Sequence, residues 1–149
     1  MTNKLVFLGG TCGKNTWRPT LIAQLVAEGV NPSCLFDPVV SDWNDAAQKA
    51  EEEAKAKATH MFFYIANPYL KGTELSAYSM VEATMALYDK PQTTVIVFDS
   101  TDITEHSLKA FKQTEKVLRK RFPQATILGT RQEAIDWLVK QLNPVEVTA

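Results

Sequence analysis

Short apolar runs alternate along this chain with longer stretches in which apolar residues recur at helical spacing. Leu5-Val6-Phe7-Leu8 is the first run and stops at Gly9-Gly10. Cys34-Leu35-Phe36 stops at Asp37-Pro38. Residues 61–66 (MFFYIA) and 94–98 (TVIVF) follow, the second closed by Asp99-Ser100, and residues 125–128 (ATIL) form the last run. These runs are apolar at consecutive rather than alternate positions. They therefore predict strands covered on both faces, as in parallel sheets packed between helices.

Five helices are predicted between and after the strands. Residues 19–28 place Leu21, Ile22, Leu25 and Val26 on one stripe, with Gly29 set to end the helix. Residues 44–59 are rich in alanine, glutamate and lysine, strong helix formers that leave a wide polar face and an alanine-lined contact to the sheet. Residues 75–88 carry Tyr78, Val81, Met85 and Leu87, an apolar set interrupted by Glu82. Residues 104–121 have Thr104 as cap and a basic C-terminal end that complements the helix dipole. Residues 130–142 open with a capping-box pattern, Thr130 and Glu133, ahead of Ala134, Ile135, Leu138 and Leu142. Joined by right-handed crossovers, these units predict a single-domain, three-layer α/β/α fold. Its five-stranded parallel sheet takes the flavodoxin-like order 2-1-3-4-5. One domain spans 1–149, and residues 143–149 read as a frayed tail.

With 149 residues, 45% apolar and 22% charged, the chain can bury one core but not two. A net charge of −1 argues against a nucleic-acid partner, which needs a basic surface. The opening MTNKLVFLGG is too short an apolar stretch for a signal peptide or membrane span, so a cytoplasmic protein without a membrane partner is expected. Cys12 and Cys34 are too few for a disulfide scaffold and read as reduced thiols, although both flank strands and could be neighbours.

In the order 2-1-3-4-5, ligands bind beyond the strand C-termini where strand order reverses, between the first and third strands. The loops there are residues 9–18 and 67–75, with 37–45 alongside. The first, GGTCGKNTWR, has three glycines and backbone N–H groups ahead of a helix, enough to approach a ligand closely and cradle an anion. A tight turn with a surface arginine is the plainer alternative. The loop matches neither the dinucleotide fingerprint nor a Walker A loop. Trp17-Arg18 could stack on a ring or pair with a phosphate. Glu82 is either a solvated helix residue or a carboxylate held in the cleft. Asp37 and Asp99 each follow a strand directly and serve either the site or the turn. His60 and His106 form no metal cluster, and no G-x-S-x-G elbow occurs.

Over about residues 4–100 the sequence resembles the nucleoside 2-deoxyribosyltransferase-like family. The resemblance is carried by VFLGG followed by Trp17-Arg18-Pro19, by FDPVVSDW at 36–43 and by the glutamates Glu51 to Glu53. It continues through MFFYI and the segment Ser79-Met80-Val81-Glu82. It implies that Glu82 is a nucleophile attacking the anomeric carbon of a deoxyribose. Asp37 and Asp42 would contact the sugar or assist base departure. Gly9, Gly10, Thr11, Trp17, Arg18 and Asn67 would bind a small-molecule nucleoside or nucleotide. Glu82 is followed by Ala83-Thr84 where the family has Leu-Gly, and Gly10-Thr11 stand where better-studied members carry a tyrosine. Transfer, hydrolysis and a non-catalytic nucleotide- or sugar-binding module therefore all stay open.

The implied chemistry fits the residues. Breaking an N-glycosidic bond develops positive charge on the sugar, which a carboxylate stabilises or captures, while a second acid protonates the base. It needs no metal or organic cofactor. Tyr78, Met80, Met85 and Tyr88 near the third helix exceed what one small domain readily hides, which predicts a homo-oligomer, in the first instance a dimer. The plainer alternative is that they complete the monomer core. The resemblance implies neighbouring subunits that complete each other's sites.

Overall fold

The computed structural model describes residues 3–71 and 74–143. Its elements in chain order are β1 (Val6–Gly10), α1 (Trp17–Ala27), a 3-10 turn (Pro32–Cys34), β2 (Leu35–Phe36) and α2 (Asp45–Lys57). They continue with β3 (His60–Ile65), α3 (Ala77–Asp89), β4 (Thr94–Phe98), α4 (Glu105–Arg121), β5 (Thr126–Leu128) and α5 (Arg131–Leu142). All strand pairs are parallel and the order is β2-β1-β3-β4-β5, the topology expected from the pattern of apolar runs. Of the predicted tail 143–149, residues 144–149 lie outside the described residues.

Strand side chains alternate between two separate cores. Val6, Leu8, Phe62, Tyr64, Val95 and Val97 pack with Trp17, Leu21 and Leu25 of α1 and Ala134, Ile135 and Leu138 of α5. On the other face Phe7, Met61, Phe63, Ile65, Ile96 and Phe98 meet Ala54 of α2, Ala83, Ala86 and Leu87 of α3, and Phe111 and Leu118 of α4. Continuous apolar runs are what a sheet with two dry faces requires.

The helix ends follow local chemistry. α1 begins at Trp17, two residues before the predicted start, and tolerates Pro19 because an N–H at its third position has no intrahelical acceptor. Gly29, at φ +90°, ends it as expected. Asn44 caps α2 through Oδ1, which accepts from Ala47 N at 2.8 Å. At α5, Thr130 Oγ1 accepts from Glu133 N at 3.2 Å. The returning Glu133 carboxylate takes Gly129 N, at 3.3 Å, and the Thr130 hydroxyl.

Two readings are corrected. The plainer alternative for α3, that its large apolar residues complete the monomer core, fails for Tyr78, Val81, Met85 and Tyr88, each 58–69% exposed. Met80, expected among the unhidden set, is partly buried against the core, and Ser79, Ala83, Ala86 and Leu87 are buried. Three of those four inward residues are small, which fits a helix lying close to the strands. Cys34 precedes β2 and Cys12 follows β1, so in parallel strands the two free thiols lie at opposite edges of the sheet.

Gly10 is the position least able to change. It sits at φ +129°, and a Cβ there would lie 2.2 Å from the Tyr64 carbonyl oxygen of the neighbouring strand. Gly10→Ala is expected to destabilise the protein by more than about 2 kcal/mol, combining left-handed strain with displacement of β3. Urea denaturation followed by circular dichroism measures it, and an unchanged midpoint would contradict it.

Candidate active site

A cleft of about 770 Å³ opens at the C-terminal edge of the sheet. Its base is the end of β1, where Gly9 and Gly10 expose backbone in place of side chains. A Cβ on Gly9 would collide with the Phe63 ring at 2.7 Å, so neighbouring aromatics already fill the space a side chain would take. α2 lines one wall with Gln48, Glu51, Glu52 and Lys55, and α3 lines another with Tyr78, Ser79 and Glu82. Pro38, Val39, Val40 and Trp43 form the rim, and Arg18 and Cys12 complete it.

Ser79 explains how α3 presents Glu82. Its buried hydroxyl donates to the Gly10 carbonyl at 3.0 Å, tying the start of the helix to the end of β1. Glu82, three residues further on, lies on the same side of the helix. Its side chain is only 13% exposed. Oε2 is buried and receives no well-directed hydrogen bond, but the Lys55 ammonium is in direct ionic contact with it. The same ammonium lies 3.0 Å from Glu51 Oε1, one helical turn earlier on α2. Burial lowers the pKa of Lys55, but its contacts with the Glu82 and Glu51 carboxylates outweigh it and leave the pKa raised.

Arg18 is a buried cation. Its Nε donates to the Leu8 carbonyl at 3.1 Å and lies 3.6 Å from Asp37 Oδ1, and the guanidinium stacks 4.4 Å above the Trp17 ring. Burial pulls its pKa down against the raising influence of Cys12 and Asp37.

The other expected binding residues are placed differently. Trp17 is 2% exposed, stacks on Tyr64 at 4.8 Å, donates Nε1 to the Thr11 carbonyl at 2.8 Å, and is not among the cleft-lining residues. Thr11 is fully buried and works as a staple: Oγ1 donates to the Ala66 carbonyl at 3.1 Å and accepts from Ala66 N at 2.9 Å. Asn67 joins two loops. It donates to the Asp102 carbonyl at 2.7 Å and accepts from Tyr69 N at 2.7 Å, while Tyr69 and Asp102, both at positive φ, share a 2.8 Å hydrogen bond. Asp37 receives Val39 N at 2.9 Å and, with Thr11 and Arg18, lines a neighbouring depression of about 370 Å³. Asp42 is exposed and lines neither space.

The cleft therefore gathers Gly9, Gly10, Arg18 and Glu82 from the expected set, with Asp37 beside Arg18. It adds Lys55, Glu51 and Ser79, whose roles sequence reasoning did not see. Glu51 and Ser79 stand within segments that carry the family resemblance, and Glu51 and Lys55 are four residues apart on one helix, which are the signals available beforehand. Among the described residues no group of three or more His, Cys, Asp or Glu could hold a metal ion, and no helix is long and apolar enough to cross a membrane.

Asp99 belongs to the scaffold beside the cleft. The Tyr64 hydroxyl donates to its Oδ2 at 2.5 Å and Thr101 N to its Oδ1 at 3.0 Å. Burial pushes the Asp99 carboxyl up, but these donors prevail and its pKa is lowered, while burial and the same contact push the Tyr64 phenol up. A carboxyl depressed on folding stabilises the native state fully above its unfolded pKa, and that contribution fades as pH falls through the folded value. Asp99→Asn should thus cost ~1 kcal/mol at pH 7. The gap to the parent should shrink on acidification from about pH 4 downward. Denaturation midpoints across pH measure this, and a gap that widens in acid would contradict it.

The family model for proteins described as nucleoside 2-deoxyribosyltransferase like matches residues 3–101, a span that contains every residue lining the cleft. Among curated proteins none matches the sequence.

Proposed function

The chain belongs to the nucleoside 2-deoxyribosyltransferase-like family, and from that footing we propose that it cleaves or transfers at the N-glycosidic bond of 2-deoxyribonucleosides or their monophosphates, with Glu82 as nucleophile. The observation that carries the reading is the Glu82 carboxylate itself, largely buried on the wall of a 770 Å³ cleft that has a bare backbone floor. A carboxylate withdrawn from water is the group that captures an electron-poor anomeric carbon. Glu82 attacks that carbon, the C–N bond breaks, and its electron pair leaves with the base, which takes up a proton. Asp37 and Asp42, on the loop that carries the rim, are the proposed acids or sugar contacts. Attack on the anomeric carbon by a second base or by water then breaks the ester, giving a new nucleoside or the free sugar. The attacking group's proton returns to the acid that protonated the departing base, and the C–O electron pair restores the carboxylate.

Glu82→Gln keeps the shape of the side chain and removes its charge. It should abolish release of free base from deoxynucleosides and deoxynucleotides, at least about a thousandfold, as loss of a nucleophile does. Chromatographic detection of free base measures it, and unchanged turnover would sink the assignment. Calorimetry on the same panel separates the reading from a binding module: heat of binding without product, with an acceptor base supplied, identifies the module.

A homodimer is the assembly we propose for this site. Tyr78, Val81, Met85 and Tyr88 expose a large apolar face along α3, and soluble monomers seldom leave such patches uncovered. A two-fold pairing of α3 would bring both copies of Glu82 near the interface. Light scattering at micromolar concentration should give twice the chain mass of 16.6 kDa, and a monomer mass would overturn the pairing. Met85→Lys should restore the monomer. A dimer that persists places the interface on another element.

A further inference from the structure

Lys55 holds a position the proposed chemistry has not yet used. Its ammonium touches Glu82 and Glu51 and lies 5.3 Å from the Phe7 ring centroid and 5.9 Å from that of Tyr78. Two carboxylates and two aromatic faces therefore surround one partly buried cation. Lys55 and Glu82 also line a second cavity of about 270 Å³, so this ion pair borders both spaces.

We propose that Lys55 is the positioning residue for Glu82: it holds the carboxylate in place on the cleft wall through their ion pair, and releases it each time Glu82 forms the glycosyl ester. Lys55 acts this way only if Glu82 is the nucleophile proposed above. The charge balance requires the release. When a Glu82 oxygen bonds to the anomeric carbon and the base departs with the C–N electron pair, the carboxylate becomes a neutral ester. Lys55 then keeps Glu51 as its anionic partner. Attack by water or an acceptor base breaks the ester C–O bond, returns the electron pair to Glu82 and re-forms the ion pair. The regenerated pair favours the resting anion, so the same cation that stabilises the nucleophile also favours its release from the sugar.

Other charged and titratable groups line the same two spaces as Glu82. On α2 these are Glu51 and Glu52; Arg18 and Cys12 also line the cleft, with Tyr78 on α3. Asp89 and Lys90 line the second cavity. Lys55 is the cation in direct contact with Glu82.

The test compares Lys55→Met and Lys55→Arg with the parent, each verified as folded by circular dichroism. In Lys55→Met the acid limb of the kcat/KM profile should move up by about one pH unit, since the carboxyl loses its stabilising cation. The rate loss should approach but not exceed about tenfold on the acid limb and shrink towards pH 8, falling mainly on kcat rather than KM. Lys55→Arg should restore the limb. Carbon-13 titration of glutamate carboxyls, with Glu82 assigned by its disappearance in Glu82→Gln, should show the same upward move without turnover. An unmoved Glu82 titration in Lys55→Met, or Lys55→Arg behaving like Lys55→Met, overturns the role of Lys55 while an inactive Glu82→Gln leaves the nucleophile standing. A fully active Glu82→Gln overturns both.

Discussion

The closeness of β1 to its neighbours at Gly10 is the constraint on which the site depends. Bare backbone there meets Tyr64 of β3 on one side, while its carbonyl accepts the Ser79 hydroxyl at the start of α3. These contacts bring a helix up to the strand ends without an intervening side chain. The cleft ends on that backbone, and Glu82 reaches the cleft wall because Ser79 fixes the helix one turn earlier. A larger residue at Gly10 would move strand, helix and carboxylate together.

The scaffold around this point is satisfied almost wholly by its own groups. Thr11 staples the first loop to the backbone after β3, Trp17 reaches back to the Thr11 carbonyl, and Asn67 and Asp99 bind the loops that follow β3 and β4. Residues that look like ligand-binding groups in the sequence are committed to holding the loops still. Preorganisation of that kind reduces the reorganisation a site must undergo during reaction.

How far the sequence could be read follows from these commitments. Strand order, both cores and the helix caps are local or periodic properties, and runs such as MFFYI and the Thr130-Glu133 pair announce them. The face that α3 turns inward is not periodic information alone. Its apolar stripe of Tyr78, Val81 and Met85 looks like a core stripe, yet the small set Ser79, Ala83 and Ala86 wins because the helix lies tight against the sheet. Trp17 looks suited to stacking on a ligand, but Tyr64, distant in sequence, supplies the ring it stacks on. Lys55 is one lysine on a polar helix until α3 is placed across from it. Its importance is a tertiary fact.

The two dry faces of the sheet divide the molecule's labour. The core against α1 and α5 contains Trp17 and Tyr64 but only Arg18 reaches from α1 into the cleft, whereas α2 and α3 on the opposite face supply the remaining helical walls. α5 lies beyond the family-matched span and packs solely into the first of these cores. Substitutions among Ala134, Ile135 and Leu138 can thus drift with their partners on α1, as a foundation is rebuilt beneath a standing room. A change in that core alters the protein's heat tolerance without replacing a cleft-lining side chain.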